Sequence, residues 1–262
     1  MDEENTINTL LNANIPESVD EAFQNLTSGL TKNVGNTLAD IWYMVFGKIS
    51  YWTEKRKLKF AHSLEQFQQE LNASISAIPP EKLEEPTLQV TAQALENAKY
   101  CITEAELREM FTSLISNSMN SDFSEYVRPS FAEIIKQMSP LDAKILKKFK
   151  SAPLPGIPIC NYLVLTPGKP GQTTIMENVF LGLPDINLDA CSTSISSLER
   201  FGLIQIPTTQ YLLPAERYDV FKQHPTFRLF QQQYPNKEFS VEKKLAKLTP
   251  LGILFTKVCV PD

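Results

Sequence analysis

The architecture of the second half of this chain turns on Ser194-Ile195-Ser196-Ser197-Leu198-Glu199-Arg200-Phe201-Gly202-Leu203-Ile204. An apolar-periodic helix runs into Gly202 and straight on into a strand. Glycine just past a helix end takes the left-handed conformation at no Cβ cost and satisfies the last carbonyls. The counterpart lies near the end of the sequence, Leu248-Thr249-Pro250-Leu251-Gly252-Ile253-Leu254-Phe255. There Thr249 caps a new helix and Pro250 takes its first position. Between the two phrases, residues 203–206 and 210–213 read as the two strands of a wing, and residues 214–238 as a helical insertion. Asp189 is predicted to cap the first of the two helices. Helix, glycine, strand, strand, helix is the order of a winged-helix domain, here placed over residues 139–262.

Upstream, Ser139-Pro140 caps and starts a helix that runs to Lys150. Residues 152–170 hold five prolines and two glycines around a strand-like core, Tyr162-Leu163-Val164-Leu165. Earlier still the pattern is helical. Residues 1–16 read as a loose lead-in, and Val19, Ala22, Phe23, Leu26 and Leu30 mark a short helix. Leu38, Ile41, Trp42, Val45, Ile49 and Trp52, then Phe60, Leu64, Phe67, Leu71, Ile75 and Ile78, mark a long tract that stops at Pro79-Pro80. A helix over 86–101 is predicted to turn Leu88, Ala92, Leu95 and Ala98 inward. The next, over 103–119, opens with Thr103 and Glu106 as a capping box and carries the stripe Leu107, Met110, Phe111, Leu114 and Ile115. Phe131, Ile134 and Ile135 mark a short helix over 129–138. The fold class is therefore α+β and predominantly helical, with a helical domain over 17–138 ahead of the winged-helix-like domain.

The composition is that of a globular chain, 42% hydrophobic and 21% charged. The formal charge of −5 is uneven: residues 1–150 carry fifteen Lys and Arg against twenty-one Asp and Glu, the rest ten against nine. Neither half is the basic surface that general nucleic-acid binding needs. Nine glycines leave little for a phosphate cradle, and in Gly168-Lys169-Pro170-Gly171-Gln172-Thr173-Thr174 no hydroxyl residue directly follows the lysine. That loop reads as an exposed hairpin-like turn. Cys101, Cys160, Cys191 and Cys259 are too far apart for a metal or redox pair and read as reduced, buried thiols of a cytosolic protein. The acidic opening Met1-Asp2-Glu3-Glu4 reads as neither a secretory nor a mitochondrial leader, and no run of apolar residues is expected to span a membrane.

Several phrases together resemble a known family: Leu38-Ala39-Asp40-Ile41-Trp42-Tyr43-Met44-Val45-Phe46-Gly47, Tyr51-Trp52-Thr53-Glu54-Lys55-Arg56, Glu106-Leu107-Arg108-Glu109-Met110-Phe111, and Pro129-Ser130-Phe131-Ala132-Glu133-Ile134-Ile135 through Ala143. The chain resembles the Abi-alpha, or abortive infection alpha, proteins of bacteria over roughly residues 30–262. The resemblance implies defence against bacteriophage in a bacterial cytoplasm and supplies no catalytic residues.

Two surfaces are candidates. The tract around Trp42, Tyr43, Phe46, Tyr51 and Trp52 is apolar on more than one face and is followed by Lys55 and Arg56. Such a helix is buried in protein or docks on a partner or lipid surface. The winged-helix surface offers Ser192, Ser196 and Arg200, with Lys243 and Lys244 beside the last helix. A recognition helix needs cations and amides toward base edges, and one arginine supplies little. Glu104 and Arg108 read as an i,i+4 pair rather than an acid–base site. The two histidines, His62 and His224, sit far apart in the sequence without ligand-spaced partners. The expectation is a protein without enzymatic activity, cofactor, metal or small-molecule substrate, acting through protein–protein or self-association. The alternatives are a membrane-perturbing effector through residues 34–60 and a DNA-binding regulator.

Overall fold

The computed structural model describes residues 32–46, 54–152, 156–165, 168 and 171–261. The expected lead-in, the helix over 17–31, and Tyr51 and Trp52 lie outside them. The chain divides into two compact units, one up to Gln137 together with the residues from Lys257 onward, the other Met138–Thr256.

The first unit is built from α1 (Lys32–Phe46), α2 (Glu54–Ser76), α3 (Leu88–Ala98), α4 (Ala105–Ser118) and α5 (Ser130–Gln137). The apolar stripe of α1 is inward: Leu38, Ile41, Trp42, Val45 and Phe46 are buried, while Asp40 and Met44 face solvent. Trp42 is 1% exposed, with ring centroids 4.7 Å from Phe46 and 5.7 Å from Phe67 of α2. Phe60, Phe67, Leu71 and Ile75 form the buried face of α2, which ends ahead of Pro79. The α4 stripe is buried as its spacing predicts.

Three local expectations for this unit do not hold. Leu88 opens α3 but is exposed, because Val90, Ala94, Leu95 and Ala98 make its inner face. The capping box at Thr103 does not form: α4 starts at Ala105, with Glu104 at its N-cap and no side-chain cap bond. Arg108 does not pair with Glu104. It turns across to α2, forking onto Glu70 with 2.8 and 3.0 Å bonds to Oε1, and donates to the Ile102 carbonyl at 3.1 Å.

The second unit opens with α6 (Pro140–Ser151), whose capping box joins Ser139 and Asp142. A four-stranded antiparallel sheet comes next, in the order β2-β1-β4-β3, from β1 (Ile157–Leu165), β2 (Gln172–Val179), β3 (Ile204–Gln205) and β4 (Glu238–Leu248). The helices are α7 (Leu188–Arg200), α8 (Asp219–Gln223), α9 (Pro225–Gln233) and α10 (Pro250–Cys259). One core gathers Cys160, Tyr162, Val179, Leu188, Leu212, Tyr218, Phe221, Phe227 and Leu245. The described glycines Gly168 and Gly171, at φ +77° and +97°, belong to the turn between β1 and β2. Asn161 pins both neighbours of β1. Its side-chain oxygen accepts from the Asn178 backbone N–H at 2.9 Å, at a bulge of β2, and its side-chain amide donates to Glu242 of β4 at 2.7 Å.

The helix end at Gly202 and the helix start at Thr249 meet in space. Gly202 stands at φ +71°, its N–H bonds Glu199 and the Leu203 N–H bonds Leu198, the paired bonds of a Schellman cap. Thr249 caps α10 through its hydroxyl, which accepts the Gly252 N–H at 2.9 Å and itself donates to the Gly202 carbonyl. The Thr249 N–H donates to Leu203 at 3.0 Å.

Other parts of the winged-helix expectation are corrected. The N-cap of α7 is Asn187, whose side chain takes the Asp189 and Ala190 amides, not Asp189 itself. Residues 210–213 are not a strand, and β3 pairs with residues 247–248 of β4. Prolines at 207 and 214 bound that stretch, and the Leu212 N–H goes to the Tyr218 hydroxyl at 3.0 Å instead of a ladder. The insertion is helical over α8 and α9, but β4 comes after it. A mixed α/β architecture with an antiparallel sheet stands; this topology does not by itself establish a winged helix.

Two substitutions separate the roles of the clasp glycines. A Cβ on Gly252 would stand 1.9 Å from the Leu203 carbonyl oxygen, so Gly252→Ala should cost about 3 kcal/mol or more in chemical denaturation. A Cβ on Gly202 would meet only Leu251, at 3.9 Å, so Gly202→Ala should cost only about 1 kcal/mol, from its positive φ. In the first unit, Trp42→Ala should cost about 3–5 kcal/mol in the same measurement.

Candidate functional site

In the tract read as either core or docking surface, Trp42 and Phe46 are core residues. Tyr43 lies on α1, and Lys55 and Arg56 on α2, with side chains outside the described residues. Among the described residues no helix is long and apolar enough to cross a membrane.

On the expected recognition face of α7, two serines bond back into the fold. The Ser192 hydroxyl donates to the Glu177 carbonyl of β2 at 2.6 Å. The Ser196 hydroxyl accepts from the Asn178 side-chain amide at 3.2 Å and donates to the Ser192 carbonyl. Arg200 is exposed and lies over the ring of Phe201. Of the serines proposed to read a ligand, these two are already engaged within the fold. Nor do Lys243 and Lys244 share a face, because successive strand residues point to opposite sides. Lys243 and Lys247 fall on the side of β4 that also carries the core residue Leu245. Lys244 falls with Glu242 on the other.

Beside Lys243 and Lys247 runs a loop that sequence reasoning mistook for a strand. Lys247 donates to the Gln210 side-chain oxygen at 3.1 Å, and Lys243 stands 5.8 Å over the Tyr211 ring. Leu212 is buried between two exposed neighbours, Tyr211 at 50% and Leu213 at 72%. The buried Tyr218 hydroxyl holds the loop in place, accepting the Leu212 N–H and donating at 2.7 Å to the Lys244 carbonyl. The rings of Tyr211 and Tyr218 meet edge to face, with centroids 6.4 Å apart. An aromatic and an aliphatic side chain thus stand in solvent on a fastened backbone. Presentation of this kind suits a binding anchor, because little ordering entropy remains to be lost. The signal available in the sequence was the short Tyr-Leu-Leu run between prolines at 207 and 214.

The remaining titratable candidates are accounted for locally. His62 is exposed on α2, and His224 caps α9 by taking the Thr226 N–H on Nδ1 at 3.3 Å. All four cysteines are free and buried, and burial pushes each thiol up from its ordinary value, away from a reactive thiolate. Among the described residues no group of three His, Cys, Asp or Glu could hold a metal ion.

Tyr211 and Leu213, exposed on a mixed α/β frame, are the candidate surface of this chain. Its family is given by comparison: the family model "Abortive infection alpha" matches residues 59–259, and the chain belongs to that family. No curated protein and no solved structure matches it.

Tyr218→Phe tests the fastening. The loss leaves the Leu212 N–H and the Lys244 carbonyl without their partner, at about 1–3 kcal/mol. Amide exchange at Leu212 should accelerate more than at β1. Burial also raises the Tyr162 and Tyr218 phenols from the ordinary 10.0. The stability linked to them is complete below that pH and declines as pH rises past it, which alkaline melts should record.

Proposed function

We propose that this chain acts in defence against bacteriophage, in a bacterial cytoplasm, as a non-enzymatic protein that associates with another protein. The defence part is supported by membership of the abortive infection alpha family. The association part is supported by one observation above the others: Tyr211 and Leu213 stand exposed on a loop fastened by Tyr218. A winged-helix-like plan for residues 139–262 belongs to this proposal too, supported by the helix–glycine–strand clasp at Gly202 and Thr249.

Membrane perturbation through residues 34–60 has less support, since Trp42 and Phe46 fill the core of the first unit. DNA reading through α7 has less as well, since the hydroxyls of Ser192 and Ser196 are engaged with β2 or with α7 itself.

The test is expression in a phage-sensitive bacterial host. The wild-type chain should lower phage yield while infected cells die. Leu213→Asp with Tyr211→Ala should abolish protection while melting normally, because exposed positions change stability by only about 0.5 kcal/mol. Protection retained in full by a stable double variant would overturn this surface as the working one.

A further inference from the structure

We infer that the surface formed by Tyr211, Leu213, Lys243 and Lys247 binds an acidic protein segment with an apolar side chain at its centre. This rests on the association reading and adds the chemistry of the partner. The apolar half of the inference comes from exposure, since Leu213 is 72% and Tyr211 50% in solvent on a held backbone. A leucine left so open gains by burial against another apolar group.

The acidic half comes from unbalanced charge. Lys243 and Lys247 share one face of β4. The contacts found for them are to neutral groups, the Tyr211 ring and the Gln210 amide oxygen. Among the described residues neither is in an ion pair. The acid next to Lys243 in the chain, Glu242, is turned to the opposite face and bonded to Asn161. The next charges after the loop, Glu216 and Arg217, are one of each sign. Two cations flanking an apolar protrusion, with no acid of their own, match a segment that brings carboxylates around an apolar anchor.

A nucleic acid fits less well. Counterion release scales with the number of phosphates neutralised, and two lysines supply few. An exposed leucine gains nothing on a phosphate backbone.

The experiment is selection of a random dodecapeptide library on the full chain, followed by titration of the resynthesised winners. Enriched peptides should place Asp or Glu within a few positions of Leu, Phe, Tyr or Trp. Their affinity should fall about tenfold or more in Leu213→Asp and in the Lys243→Glu/Lys247→Glu double variant, and should weaken with added salt. Peptides with the acids changed to lysine should regain binding to the double variant alone. Winners that need Leu213 but carry no acidic bias would overturn the acidic inference and leave the association reading intact. Winners that ignore both Leu213 and Tyr211 would overturn both. Random-sequence duplex DNA whose binding is lost in the lysine double variant but kept in Leu213→Asp would overturn the inference in favour of a polyanion. A dimer in sedimentation that Leu213→Asp dissolves would overturn it in favour of a second copy of the chain.

Discussion

Thr249 is the residue on which the second unit closes. One hydroxyl caps α10, by accepting the Gly252 N–H, and ties back to the end of α7, by donating to Gly202. The backbone of the same residue donates to Leu203. Chain separated by 47 residues is thus joined at one point. The approach demands glycine on both sides for two different reasons. Gly202 has to be left-handed to end α7, whereas Gly252 has to lack a side chain because the Leu203 carbonyl occupies that space. β3 is only two residues long, and its pairing to the end of β4 is adjacent to this junction. Loss of the junction removes the reason for β3 to exist.

Buried aromatic packing fills the space that the clasp closes. Tyr218 serves both needs: its ring packs in the core beside Phe221, and its hydroxyl meets two backbone groups that would otherwise be buried without partners. The cost of placing a phenol there is offset by satisfying those groups, and the result is a loop held from beneath. Asn161 does comparable work on the sheet's other face, where it fixes the bulge of β2 and reaches β4. A pinned register keeps Lys243 and Lys247 on the Tyr211 side, since a slip of one residue would send them to the opposite face.

Much of this was legible wherever the cause is local. Gly202, Thr249 and the Ser139 cap announce themselves by residue type at helix ends, and the stripes of α1, α2 and α4 by their spacing. Distant partners were not legible. Arg108 looks like a helix-surface pair with Glu104 until α2 brings Glu70 to it. β4 was missed because Lys243 interrupts the period-two run of Phe239, Val241 and Leu245. Residues 210–213 have strand-like composition, but a tyrosine hydroxyl takes the amide that a ladder would need. Lys243 was named from sequence as a surface cation, yet its proper companions, Tyr211 and Leu213, could not be chosen before the loop's inner and outer sides were known.

Native-state amide exchange at Thr249 and Gly252 is the most direct measure of whether this junction closes the second unit. The donated bonds to Leu203 and to the Thr249 hydroxyl predict that both amides exchange only when the whole unit opens, at the free energy that denaturant unfolding reports. Exchange at Thr249 and Gly252 near the unprotected rate, while β1 and β4 stay protected, would contradict the account.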